Sequence, residues 1–204
     1  MKTWQLIVRN QMDCYCGPTD GGKYDLTIAC PVCGTGARRV DPIHLPSARL
    51  RKSVSITLDH ELVIPPRLVP ALRDIIPHCL REILTEKTGA PTPYFEMIPE
   101  ITLPGWSLAT TGWCNSRMDP PCPTCKRDGY YNIGKTPLLL AYAQGLPPFL
   151  VAETYECFGN SGIQSDFKKS HFAVGLPVVC EAVRNVLAGE RGLEFLPVST
   201  LGNQ

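Results

Sequence analysis

The chain has 204 residues and a mass of 22.5 kDa. That is enough to bury a core without crosslinks, in one domain or two small interlocked ones. Lys and Arg number 20 against 19 Asp and Glu, and the net charge of +1 excludes a basic tail, a charge-driven disordered chain and a global attraction for nucleic acid or anionic lipid. Gly (17) and Pro (20) are abundant without reaching low complexity, so a loop-rich folded protein is expected.

Residues 1–13 alternate weakly through Trp4, Leu6 and Val8 and predict a first strand. The apolar run before Arg9 is too short for a signal peptide, which points to a cytoplasmic chain. Residues 14–24 are turn-rich, and 24–30 predict a strand leading into the first of two close cysteine pairs. Further strands are expected at 38–43 and 54–58. Apolar residues at 68, 72, 75, 76, 80, 83 and 84 have helical spacing, and Pro77 divides that stretch into two short helices that end at Gly89. Residues 94–98 predict a strand, 137–144 a short helix, 149–158 a strand and 159–162 a turn. Residues 177–187 predict an amphipathic helix with Pro177 at its start and Gly189 beyond its end, and 192–198 a closing strand. The uncharged run 136–152 holds Pro137, Pro147 and Pro148, so no membrane span is expected. Residues 66–76 and 177–187 echo one another in Pro, Ala and Arg positions, which suggests two strand–helix units or a coincidence of two amphipathic segments.

The fold class that follows is α+β: small antiparallel sheets, a few short helices and a zinc-ribbon-like four-cysteine element joining distant hairpins. Residues 1–58 plus 106–136 would form a zinc-knuckle β region, 59–105 a helical segment and 137–204 a C-terminal α/β part, all packed as one compact unit.

Ten cysteines are many for a chain without a secretion signal, and close pairs in a reducing compartment read as metal ligands. Cys30-Pro31-Val32-Cys33-Gly34 and Cys122-Pro123-Thr124-Cys125-Lys126 each place two thiolates in one hemisphere. Two such turns supply the four tetrahedral ligands of a structural Zn²⁺. Residues 34–121 separate the pairs, so a shared site at Cys30, Cys33, Cys122 and Cys125 would pin remote parts of the chain together. Local sites are the alternative: Cys14 and Cys16 with the first pair, Cys114 with the second, or His44 as a substitute ligand. Cys79, Cys157 and Cys180 sit in apolar segments and read as core residues.

Other motifs carry less. Residues 129–136 match the G-x-x-x-x-G-K-T phosphate-loop pattern, but Cys125-Lys126-Arg127-Asp128 before them is no buried strand, and two Tyr fill the loop. His44, His60, His78 and His171 show no spacing that demands catalysis, so no catalytic residue is assigned. Arg38-Arg39 and Lys126-Arg127 flank the cysteine pairs as in zinc modules that grip nucleic acid, although a solvated face fits the neutral charge better.

Together the two C-x-x-C turns, the glycine after the first, the Val/Ile-Pro-helix segment and the ending Gly192-Leu193-Glu194-Phe195-Leu196-Pro197-Val198 resemble the myxobacterial double-CXXCG motif proteins. That paralogous group includes immunity proteins to lipoprotein toxins exchanged between cells. Lys126 stands where the family has Gly. The resemblance implies a cytoplasmic, non-catalytic protein with one structural zinc that binds a cognate toxin and blocks it by occlusion. Trp106, Trp113, Arg117, Tyr130 and Tyr131 near the turns are candidate contacts, because interfaces favour such residues. The competing reading is a zinc-ribbon nucleic-acid-binding or regulatory protein.

Overall fold

The computed structural model describes residues 2–115, 120–132 and 137–201. It is mostly sheet with few helices. The first half runs β1 (Thr3–Val8), β2 (Tyr24–Asp25), β3 (Arg38–Arg39), β4 (His44–Leu45), β5 (Ser55–Ile56), β6 (Leu62–Ile64), α1 (Val69–Arg73), β7 (Leu80–Thr85) and β8 (Pro91–Met97). Then follow β9 (Ile101–Thr102), β10 (Trp113–Asn115), β11 (Tyr130–Asn132), β12 (Ala141–Tyr142), β13 (Val151–Phe158), β14 (Val174–Cys180), α2 (Glu181–Leu187), β15 (Leu193–Pro197) and β16 (Ser199–Thr200).

Two curled sheets face each other. One has the order β15-β1-β14-β13-β9, the other β4-β7-β8-β6-β5. Both are antiparallel except at one edge strand each, β9 on β13 and β4 on β7. In both, a strand leads through a helix to a second strand two places away, with an antiparallel strand between: β6-α1-β7 around β8, and β14-α2-β15 around β1. The 66–76/177–187 echo falls on this shared pattern, since Leu72 of α1 and Val183 of α2 occupy equivalent places and both are fully buried.

The central core lies between the sheets and takes Leu6, Ile64, Leu72, Val151, Val179 and Val183 from both of them and from both helices. Neighbouring residues point the other way. Val63 joins Met12, Ile43 and Ile83 behind one sheet, while Ala152 and Val178 join Leu138, Leu140 and Tyr142 behind the other. Covering on both faces explains why Leu62-Val63-Ile64 and Val178-Val179-Cys180 are buried without alternation.

Several predicted elements change. The second helix of 66–86 is instead a short 3-10 turn, Pro77–Cys79, followed by strand β7. The segment 59–105 therefore contains strands as well as one helix. Residues 137–144 contain no helix among those described, only the two-residue strand β12. Residues 177–180 belong to β14, and the helix begins at Glu181. Pro177 sits mid-sheet because β13 bulges opposite it: pairing jumps from Glu153↔Pro177 to Cys157↔Gly175. Within the bulge, the amide of the preceding residue, Leu176, donates to the Thr154 hydroxyl at 2.9 Å. The strand expected over 24–30 keeps only Tyr24–Asp25, and 26–29 form a turn into the first cysteine pair.

Candidate metal centre

Each cysteine pair sits between the strands of a two-stranded antiparallel ribbon. Cys30 and Cys33 lie between β2 and β3, and Cys122 and Cys125 between β10 and β11. The ribbons bring all four sulfurs within 4.8 Å of one another. Cys30 Sγ lies 4.0 Å from Cys122 Sγ, and Cys33 Sγ 3.7 Å from Cys125 Sγ. A tetrahedral ion with metal–sulfur bonds of about 2.3 Å sets its sulfurs ~3.8 Å apart, so the donor set fits a metal. The same distances are far beyond the ~2.05 Å of a disulfide. Cys30, Cys33 and Cys122 are buried and Cys125 is half-buried.

The two turns share one construction. Gly34 N–H donates to Cys30 O at 2.8 Å, and Lys126 N–H donates to Cys122 O at 2.9 Å. Both donors are left-handed, Gly34 at φ +85° and Lys126 at φ 56°. Lys126 thus holds the conformation for which glycine is suited. Gly34 is also pressed by its surroundings, because an added Cβ would meet Phe172 at 2.6 Å and Ile163 at 2.8 Å.

A hydrogen-bonded layer behind the sulfurs ties the turns together. Buried Asp128 accepts from Cys122 N–H at 2.8 Å and from Ser161 N–H at 3.1 Å. The Ser161 hydroxyl accepts from Thr35 at 2.9 Å and from Ala173 N–H at 2.7 Å, and Thr35 Oγ1 lies 3.1 Å from Cys33 Sγ. The four cysteines were legible from their spacing. Thr35, Asp128 and Ser161 were not, because they meet only in space.

The thiols are unequal. Burial raises Cys30, but the backbone amides of Cys33 and Val32 outweigh it and bring this thiol down to about 7. Burial pushes Cys33 up to about 12 against the Thr35 hydroxyl and amide, and Cys125 is raised by burial as well.

The alternative ligands lie elsewhere. Cys14 and Cys16 are packed behind the β4–β8 sheet with Met12 and Ile83, and burial raises both thiols. Cys114 is exposed on β10, and His44 is exposed on β4. Among the described residues neither joins the four-sulfur group. Cys79 and Cys180 belong to the central core, and Cys157 is buried on β13. Cys79 lies with His78 and Glu100 in a trio whose donor atoms fall within 4.8 Å. Its first role is a hydrogen bond: His78 Nε2 is 2.7 Å from the Glu100 carboxylate, which also accepts from Leu150 N–H ahead of β13. Burial together with Glu100 pushes the Cys79 thiol up to about 11.

Trp106, Trp113, Tyr130 and Phe158 pack on one another, with Trp106–Tyr130 and Trp113–Tyr130 centroids both 5.1 Å apart. Trp113 Nε1 donates to Thr110 O, and Tyr131 donates to Asn160 Oδ1. Arg117 lies outside the described residues, as do residues 133–136 of the phosphate-loop-like stretch. No helix among the described residues is long and apolar enough to cross a membrane. Compared with protein-family models, curated proteins and solved structures, the chain gives no match.

Proposed function

We propose that the protein is a cytoplasmic, non-catalytic immunity protein in which Cys30, Cys33, Cys122 and Cys125 hold one structural zinc and a rigid surface occludes a cognate toxin. One observation carries the metal reading: sulfurs 92 residues apart in sequence lie 4.0 and 3.7 Å from each other. Four thiolates leave a tetrahedral ion no open position, which suits a structural rather than a reactive role. The likeness to the double-CXXCG motif proteins supports the partner. Lys126 is no obstacle to it, because its backbone adopts the left-handed turn that the family's glycine would. Exposed Ile28 and Val32, each 58% accessible beside the first cysteine pair, offer apolar contacts for a protein partner.

Metal analysis and co-expression test this. Wild type should carry one zinc per chain, and Cys30→Ser and Cys122→Ser should each abolish it. Loss in only one of the two would refute the shared site. Co-expression with the product of the adjacent upstream gene should relieve growth arrest and yield a co-purifying complex, and Val32→Asp should weaken both.

A zinc-ribbon nucleic-acid binder is the second reading, favoured by Arg38, Lys126 and Arg127 beside the cluster. It requires binding that falls steeply with salt.

A further inference from the structure

A cavity of about 550 Å³ opens between the two sheets beside the cysteine turns, within the range of small-molecule sites. Leu62 and Met97 wall it from one sheet, Val151 and Ala152 from the other, and the rings of Tyr24 and Phe172 pack together at its side with centroids 5.0 Å apart. Arg38 and Arg127 line both this cavity and an adjoining hollow of about 520 Å³ that also contains Thr102 and Tyr155.

Most charged groups of the cavity are already committed. Arg81 forks onto Glu96 at 2.9 and 3.0 Å. Arg39 is spent on Asp41 and on the carbonyls of Cys16 and Pro42. Asp59 accepts from the amides of Cys16 and Gly17 at 2.6 and 2.8 Å.

Arg38 and Arg127 differ. Neither has a carboxylate within 4.0 Å among the described residues. Arg38 Nη2 donates to the Thr102 hydroxyl at 3.0 Å, and that hydroxyl donates to Glu153 at 2.9 Å. Arg127 Nε donates to Tyr155 O at 3.1 Å, while its guanidinium lies 4.1 Å over the Tyr155 ring. Gly36 leaves the space that Arg127 occupies, since an added Cβ would meet Nη1 at 2.8 Å. Each arginine follows one cysteine turn closely in sequence, so the four-sulfur cluster fixes where both emerge.

We propose that Arg38 and Arg127 are an anion-binding pair at the mouth of the intersheet cavity and that its ligand is an organic carboxylate whose apolar body enters the cavity. A planar guanidinium presents paired N–H groups that match a carboxylate. The aliphatic and aromatic walls suit a hydrocarbon body. Burial raises the Glu153 carboxyl against the pull of both arginines, so this acid does not fully offset their charge, while Asp59 and Glu61 also line the cavity. The apolar walls and the neighbouring acids favour a singly charged acid with a hydrocarbon body over a compact, fully hydrated phosphate dianion. The site goes beyond the proposed toxin antagonism and does not depend on it.

Calorimetric or NMR titration of the metal-loaded protein at low salt tests the assignment. Benzoate stands for a free small acid, N-acetylphenylalanine for a chain terminus, and benzamide, N-acetylphenylalanine amide and inorganic phosphate are the controls. At least one of the two acids should bind saturably and its amide should not; which acid binds assigns the source of the carboxylate. Arg38→Gln and Arg127→Gln should each weaken that binding by about tenfold or more. Zinc content and the circular dichroism spectrum should not change, and Arg184→Gln on α2 should leave binding as in wild type. No saturable binding of either acid at tens of millimolar, equal binding of the amides, tighter binding of phosphate, or full affinity in both arginine variants would each overturn the proposal. Zinc analysis and toxin rescue are read separately, so failure here leaves those readings to their own tests.

Discussion

At the scale of single residues, the two cysteine turns make a matched pair with one mismatch. Gly34 and Lys126 hold the same place and the same hydrogen bond, yet only Gly34 lacks a Cβ. Left-handed backbone costs a non-glycine residue about 1 kcal/mol. Lys126→Gly should therefore raise stability by about 0.5–1 kcal/mol in denaturant unfolding. Gly34→Ala should lower it by more than that, since strain and contact with Phe172 and Ile163 add together. A second prediction concerns Glu61, which lines the intersheet cavity. Burial, reinforced by neighbouring Glu96 and opposed by Arg39 and Arg81, raises its carboxyl well above the usual range. Its ionised form is penalised in the folded state, so the stability linked to its protonation is present in acid and lost as pH rises through the folded value. Glu61→Gln should raise the melting temperature at pH 7–8, with the gain vanishing as pH falls to about 4. Equal gains at both pH values would contradict it. The sequence made the cysteines readable because ligand chemistry imposes a local spacing. Glu61, Asp128 and Ser161 carry no such local mark, since what defines each is a neighbour supplied by a distant segment.

Among the elements, the misread segments share a cause. Leu80, Ile83 and Leu84 have helical spacing, but they lie on a strand covered on both faces whose pairing with β8 shifts between Glu82 and Leu84. A two-sided strand with an irregular register loses its alternation and imitates a helix. The helix expected from Pro177 rests on proline's frequency at helix starts. Here the β13 bulge admits Pro177 into the sheet, and Thr154 makes the bulge possible. Its hydroxyl accepts from Leu176 N–H at 2.9 Å and donates to Glu156 O at 2.6 Å, and the residue is fully buried. Thr154→Val keeps the shape and orphans that amide. It should cost about 1–3 kcal/mol, whereas Thr154→Ser should cost less, both read from urea unfolding midpoints. The strands expected at 149–158 and 192–198 match β13 and β15 almost to their ends, because turn residues or proline bound them in the sequence, whereas β8 starts at Pro91, three residues before the expected 94, and carries two prolines within it.

For the whole molecule, both sheets and both helices close on one core. That predicts one cooperative transition rather than two. Leu72→Ala should cost about 2–5 kcal/mol and move the entire transition, and Val183→Ala on the other helix should move the same transition. Two separable transitions by calorimetry would show that the halves fold independently. The echo between 66–76 and 177–187 hinted at the repeated strand–helix–strand connection, but no local signal could reveal that the chain's first strand completes the second copy of it.

That placement of β1 has a consequence for biosynthesis. Thr3–Val8 waits between β14 and β15 for partners that are made last, pairing Thr3 with Cys180 and Val8 with Leu193. On the ribosome the β4–β8 sheet can form early, while the opening strand lacks its first partner until Val174–Cys180 emerges and its second until Leu193–Pro197 does. Chains stalled before that point would display two bare strand edges at once. Pulse-labelled chains should therefore become protease-resistant in a single step, and only once Leu193–Pro197 is free to pair with Thr3–Val8.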